Sequence, residues 1–232
     1  MFNGKNKAFT LSYDDGITQD QRFINIINKY GLKCTFNLNS GKFGTDGSLI
    51  RENVTVAHVK PRKEEIAKIY EGHEIAAHTL NHPWLKSLSD EEIIYEVEED
   101  RKVLSEIAGY EVVGMAYPCG TAAVDERVEN LVKNNTGIKY ARTTSDTLNF
   151  DLQDNLIMFH PTVYHLHFDK LFSLAEKFIE LETDKPQVFY VWGHTYEFDI
   201  ANTWDKFEEF CRLISNKDDI FYGTNKEILL AD

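Results

Sequence analysis

Gly72 to Pro83 reads GHEIAAHTLNHP and places His73, His78 and His82 in one short stretch of a chain that holds 8 histidines. Neutral imidazoles are ligands for zinc and similar divalent ions, so the spacing decides what this stretch can hold. His73-Glu74 followed by His78 misses the H-E-x-x-H arrangement by one residue. That arrangement needs histidines at i and i+4 on one helical face, with a Glu between them. His78 and His82 do stand at i and i+4, but no Glu lies between. An ion held by this pair takes its other protein ligand, and any base that activates water, from elsewhere.

Asp14 and Asp15 in LSYDDG offer both. With two adjacent carboxylates, one can bind a metal while its neighbour, turned the other way, takes a proton from water. Each piece alone has a plainer reading. Asp-Gly favours turns, so LSYDDG fits a surface turn, and His78 and His82 fit satisfied structural histidines. Together the two imidazoles and a carboxylate are the ligand type expected of a catalytic divalent ion with open positions.

The elements that must position these groups alternate along the chain. Strand-like segments are expected at 7–13, 34–38, 74–78, 112–118, 139–143, 156–162, 187–194 and 220–223. Helical patterns are expected at 18–30, 62–71, 90–108, 125–134, 167–182 and 203–216. In 90–108 an apolar face runs through Ile93, Ile94, Val97, Leu104 and Ile107, and Ser89 to Glu92 matches a capping box. Such alternation implies parallel strands with crossover helices. No linker divides the chain, so one domain over 1–232 is expected, with 39–60 a long loop. Asp14 and Asp15 follow the first strand and His78 ends the third. Tyr117 to Gly120 closes the fourth, Arg142 is near the end of the fifth, and His194 ends the seventh. Reactive groups in α/β sheets and barrels gather at the C-terminal ends of strands.

Composition narrows the partners. A net charge of -13 with no basic stripe argues against nucleic acid, and no apolar run reaches membrane-spanning length. The 42% hydrophobic content is that of an ordinary globule. Cys34, Cys119 and Cys211 are few and widely spaced, so neither a disulfide framework nor a cysteine zinc site is expected. The first residues lack a basic-then-apolar leader, and a reduced, cytoplasmic protein is the simplest expectation.

LSYDDG resembles the T-F-D-D motif of the polysaccharide deacetylases, also called carbohydrate esterase family 4 or the NodB homology domain. HTLNH is similar to that family's H-[ST]-x-x-H, CTFNLNSG to its ATFF strand, MAYPCG to its R-P-P-Y-G-like segment, and WGH to its late L-x-H motif. The resemblance runs in order from about Ala8 to about His194. It implies an α/β fold, a distorted (β/α) barrel that is often seven-stranded. It also implies one divalent ion, zinc first with cobalt, nickel or manganese as alternatives, held by Asp15, His78 and His82. Asp14 would be the base for the attacking water, the Cys119 N–H an oxyanion donor, and His194 the acid that protonates the departing amine.

The chain departs from the pattern in places. The family's third-motif Arg, which holds the base, falls on Ala116, and Arg142 on the next strand is the candidate to replace it. The plainer expectation for Arg142 is a pair with a surface acid such as Asp146. Cys119 stands where the motif has Tyr, with Tyr117 nearby as an aromatic wall. The fourth motif survives faintly in SDTLNF, as Asp146 and Phe150. Trp192 occupies the apolar position before His194 and would narrow the acetyl pocket, and His160 is expected to face the same rim. His73 has no motif counterpart and is expected to be structural. The expected activity is N-deacetylation of an N-acetylated sugar, oligosaccharide or polysaccharide, with release of acetate. The alternatives are an amidohydrolase of the same fold acting on a small non-sugar amide or cyclic imide, and a carbohydrate-binding protein with a decayed site.

Overall fold

The computed structural model describes residues 2–231. Its strands are β1 (Lys7–Asp14), β2 (Cys34–Leu38), β3 (Ser48–Arg51), β4 (Val54–Ala57), β5 (Glu74–Ala77), β6 (Gly114–Ala116), β7 (Tyr140–Arg142), β8 (Val163–Tyr164), β9 (Gln187–Gly193) and β10 (Ile220–Tyr222). The helices are α1 (Asp20–Lys29), α2 (Lys63–Ile69), α3 (Asp90–Ala108), α4 (Glu126–Asn135), α5 (Phe168–Glu180), α6 (Tyr196–Ala201), α7 (Trp204–Ile214) and α8 (Asn225–Leu229). Parallel pairing follows the order β7-β6-β5-β2-β1-β9-β8, and β10 joins the first residues of β1, where β2 does not reach. These strands make a curled α/β sheet, a distorted (β/α) barrel.

Strand alternation sorts each segment into two faces. On one face Phe9, Leu11, Tyr13, Phe36, Ile75, Met115, Phe189 and Val191 form the main core with helix residues such as Phe23, Phe207 and Phe210. The other face lines the barrel interior and is largely polar. Thr10, Ser12 and Asp14 come from β1, Thr35 and Asn37 from β2, and Glu74 from β5, all of them buried. The helix α3 shows how local chemistry sets the bounds of an element. Ser89 Oγ accepts from Glu92 N at 3.3 Å, Glu92 Oε2 accepts from Ser89 N at 2.8 Å, and Gly109 ends the helix at φ 73°.

The bottom of the barrel is closed by α8. Glu74 accepts from Tyr140 OH (2.6 Å), Thr35 Oγ1 (2.7 Å) and the backbone N of Lys226 (2.9 Å). Asn225 donates its backbone N to Thr35 Oγ1 and accepts from Thr10 Oγ1. Buried polar groups are tolerable only when paired. Glu74→Ala leaves three donors without their acceptor, so a loss of roughly 2–5 kcal/mol in unfolding free energy is expected. A denaturant midpoint that does not move would contradict it, and Glu74→Gln should lose less.

Three differences from the sequence expectation matter. Residues 156–162 do not form a strand: Leu156–Met158 is a 3-10 turn, and only Phe159 bridges to Arg142, closing the gap between β7 and β8. Within 39–60 lies the β3–β4 hairpin, whose turn residues Glu52 and Asn53 both have positive φ, 50° and 63°. Two-residue hairpins of that kind favour Asn-Gly or Asp-Gly, so Glu-Asn hid the turn. The helices α6 and α8 are too short to show a period. Among the described residues no helix is long and apolar enough to cross a membrane.

Candidate active site

The strand ends of β1, β5, β6 and β9 open on a pocket of ≈ 520 Å³. Asp15, His78 and His82 each turn one ligand atom into it, all within 4.8 Å of one another. His78 is buried, and its Nδ1 lies 2.7 Å from the Ala116 carbonyl oxygen, which only a protonated Nδ1 can satisfy. That contact fixes the tautomer with a lone pair on Nε2, a buried atom with no hydrogen-bond partner. An orphaned lone pair facing a second imidazole and a carboxylate is what a divalent cation satisfies. Burial pushes the His78 pKa down to about 4, keeping the ring neutral as a ligand must be.

The two histidines do not sit one helical turn apart, as their spacing suggested. Thr79 and His82 have positive φ, 63° and 57°, so the chain after β5 turns irregularly. The turn is anchored to α3 by Leu80 N donating to Glu96 O and Asn81 N donating to Glu96 Oε2, and is closed on itself by His82 N donating to Thr79 Oγ1. Beneath it, Asp100 on α3 accepts from His78 N and from Ser40 N and Oγ. Burial raises the Asp100 carboxyl to about 7. An acid on the apolar face of a helix, between Val97 and Leu104, was the sequence signal for this support.

Asp14 lies beside the triad and is 2% exposed. Arg142 Nη2 donates to Asp14 Oδ1 at 2.6 Å and also to Oδ2, and Nη1 donates to Thr143 O at 2.9 Å. Its guanidinium lies 4.7 Å from the Trp192 ring centroid. Asn37 Nδ2 donates to Asp14 Oδ1 at 2.9 Å. Burial pushes the Asp14 carboxyl up, but the Arg142 guanidinium, by charge and by hydrogen bond, together with the charge on His194, outweighs it and holds it below the ordinary value. Asp146 is not the partner of Arg142: it accepts from Trp192 Nε1 and pairs with His167.

His194 faces Asp14 across the pocket, with Nε2 3.9 Å from Asp14 Oδ2. Its orientation comes from Glu197, in the first turn of α6. Glu197 Oε2 accepts from His194 N at 3.0 Å, lies 3.2 Å from His194 Nδ1 and pairs with His165 Nε2 at 2.8 Å. The Nδ1 contact is off line for a hydrogen bond, so it acts as an ion pair. Tyr13 OH meets the other nitrogen of His165 at 3.0 Å. A Cβ on Gly193 would stand 2.5 Å from the His165 ring, so glycine here makes room for that histidine. Burial works against charge on His194, yet the Glu197 carboxylate overrides it and raises the imidazole to about 9. Neither His165 nor Glu197 was singled out from sequence; a carboxylate three residues after the candidate acid was the available clue.

Cys119 lines the pocket at the left-handed position of the turn Tyr117–Gly120, φ 57°, closed by Gly120 N donating to Tyr117 O at 3.0 Å. Among the described residues nothing accepts the Cys119 N–H, which leaves it available as an oxyanion donor. Asp15 (φ 81°), His82 and Cys119 are all left-handed non-glycine residues at one site, where backbone strain tends to concentrate. Tyr117 lines the pocket with its ring, its hydroxyl donating to Ile157 O. Trp192 also lines it.

His160 is not brought in. With residues 156–162 turning rather than extending, Phe159 takes the bridging place. His160 Nδ1 meets Thr143 Oγ1 at 2.5 Å, away from the pocket lining. His73 also lies elsewhere, against Cys34 N and Asn28, with burial lowering its pKa to about 4.

The segment 39–60 supplies a wall that the sequence did not reveal. Asn39 Nδ2 donates to the His78 and Thr79 carbonyls. Lys60 Nζ donates to the Asp15 carbonyl and lies 3.7 Å from Asp15 Oδ1, while His58 Nε2 lies 3.3 Å from Oδ2. Burial disfavours a charged Asp15, but His58 and Lys60 outweigh it and keep the carboxyl well below its usual range.

Known proteins resemble this chain in sequence and in fold. A family sequence model described as "Polysaccharide deacetylase" matches residues 3–141. The chain is 26% identical over 208 residues to Chitin deacetylase 3 of Cryptococcus neoformans var. neoformans serotype D, covering 85% of this chain and 46% of that protein. It thus spans about half the length of the curated relatives it matches. Among solved structures, a Xyl-CE4 domain of a multidomain xylanase from the hindgut metagenome of Trinervitermes trinervoides superposes with a TM-score of 0.61. That pair shares 16% identity and covers 97% of this chain and 91% of that one. A CE4 family pseudoenzyme from Bacillus anthracis gives a TM-score of 0.57 at 14% identity, covering 97% and 66%. At such identities the likeness speaks for the fold, while the sequence match decides the family: this chain belongs to the polysaccharide deacetylases.

Proposed function

We propose that the protein is a metal-dependent hydrolase that removes the N-acetyl group from an N-acetylated sugar, oligosaccharide or polysaccharide and releases acetate. The observation that carries this reading is the orphaned His78 Nε2, converging with Asp15 and His82 beside a buried carboxylate and an oriented imidazole. Asp15, His78 and His82 would hold one divalent ion, zinc in the first instance. When bound, it supplies Lewis acidity that polarises the acetyl carbonyl and acidifies water.

The chain's own residues do the rest. Asp14, locked by Arg142 and Asn37, takes a proton from the water that attacks the carbonyl carbon. The developing oxyanion meets the Cys119 N–H. His194 gives its proton to the nitrogen as the C–N bond breaks, leaving acetate and a free amine. A carboxylate held ionised and an imidazole held protonated are the two states such a reaction needs at its start. Trp192 and Tyr117 bound the space for the acyl group.

A small non-sugar amide is the second reading, favoured by Leu49, Arg51, His58 and Lys60, which wall one side of the pocket. The decayed-site reading is disfavoured, because base, acid and ligand set are all assembled. Acetate release from N-acetyl sugars, their oligomers and small cyclic amides, with and without added zinc or cobalt, tests these readings together. His78→Ala is expected to lose most metal and activity together; full metal content in a His78→Ala, His82→Ala variant would refute the ligand assignment.

A further inference from the structure

The pocket of this acidic chain carries charge of the opposite sign at its mouth. Acids outnumber bases 38 to 25 overall. Three carboxylates line the pocket, Asp14, Asp15 and Glu197, and each already has cationic or imidazole partners. Asp14 is held by Arg142, Asp15 by Lys60 and His58, and Glu197 by His165 and His194. Lys60 is thereby used as well. Two pocket-lining cations remain, Lys42 and Arg51, and among the described residues no carboxylate lies within 4.0 Å of either. The acids of the same segment, Asp46 and Glu52, do not line the pocket.

Both cations stand on fixed supports. Lys42 ends the turn Ser40–Lys42, where Ser40 is bound to Asp100 and Gly41 N donates to Leu80 O. A Cβ on Gly41 would come 2.6 Å from that carbonyl, so the turn is packed directly on the loop that leads to His82. Arg51 ends β3, whose hairpin is seated by Leu49 and Val56 against Ile17, Tyr196 and Ile200. The reaction described above uses neither residue. Unpaired cations at the mouth of a low-dielectric cleft focus the field on an incoming anion.

We propose that the substrate of this site is an N-acetylated amino sugar bearing an anionic substituent, a carboxylate or a phosphate, received by Lys42 and Arg51. The proposal rests on the deacetylase reading and narrows it to a substrate class. Steady-state acetate release by the metal-loaded protein is compared for N-acetylglucosamine and its dimer, N-acetylglucosamine 1- and 6-phosphates, and N-acetylmuramic acid, whose lactyl ether carries a carboxylate. At low salt, kcat/KM for at least one anionic sugar should exceed that of its neutral counterpart on the order of tenfold. The preference should shrink towards unity in about 1 M NaCl. A Lys42→Glu, Arg51→Glu variant should abolish or invert the ratio. Which anion is preferred separates carboxylate from phosphate.

Turnover of neutral sugars with no anionic preference, or a preference that survives the double substitution, overturns the proposal and leaves the deacetylase reading standing. Absence of turnover on every substrate overturns the deacetylase reading instead. Titration calorimetry with the same sugars then still decides the proposal: salt-sensitive binding of an anionic sugar, lost in the double variant, supports it, and equal or absent binding overturns it.

Discussion

His194→Ala is expected to lower kcat by a factor on the order of 10²–10⁴ with metal content unchanged. An amide nitrogen leaves only when protonated, and His194 Nε2 is the protonated group that faces Asp14 across the pocket. The pH profile carries the sharper test. With its imidazole raised to about 9 by Glu197, His194 keeps its proton through neutral pH, and the rate falls as pH rises through that value. Glu197→Gln removes the charge that stabilises the imidazolium. The basic limb should then move to lower pH, towards the ordinary histidine value of about 6.5, and kcat should fall more than KM changes. Glu197→Asp keeps the charge and should recover part of the shift. A basic limb that stays put in Glu197→Gln would remove Glu197 from this role.

Much of this arrangement is legible in the sequence because the barrel interior is polar. The alternating Thr10, Ser12, Asp14 and Thr35, Asn37 leave strand periodicity visible where a dry parallel sheet would show an unbroken apolar run. Residues 34–38 and 90–108 fall where β2 and α3 lie, since their boundaries are written in local chemistry: a short apolar run in one case, a capping box and a C-terminal glycine in the other. What failed was whatever depended on backbone paths set by distant partners. The turn from His78 to His82 is shaped by Glu96 and Asp100 on α3, and spacing alone cannot tell it from a helix. The 156–162 segment has strand composition but only one bridging position beside β7, and His160 left the rim with it. His58 and Lys60 reach the site from the segment that follows a short hairpin, and Glu197 from a six-residue helix, none of which leaves a periodic trace.

Arg142 reaches Asp14 from β7, the strand next to the one that ends at Ala116. The side chain at position 116 is a methyl group, and its backbone carbonyl is engaged by His78. One strand over, Arg142 is 1% exposed and reaches Asp14 with Nη2 while its guanidinium lies over the Trp192 ring. Removing one partner of a buried ion pair leaves the other uncompensated, so Arg142→Ala is expected to cost about 3–5 kcal/mol of unfolding free energy. Denaturant melts measure that loss. The functional consequence is separable in Arg142→Lys, which keeps a cation but neither the planar fork nor the stacking surface. Its kcat should fall on the order of tenfold or more as Asp14 loses its orientation, with KM changing less. The sign of the pH effect follows from the direction of the Asp14 shift. Arg142 helps hold that carboxyl below its ordinary value, so weakening the pair raises its pKa, and activity should be lost at a higher pH on acidification. An Arg142→Lys protein with wild-type kcat and an unmoved acidic limb, yet reduced stability, would make the pair a support of the barrel interior and leave the orientation of the base to Asn37.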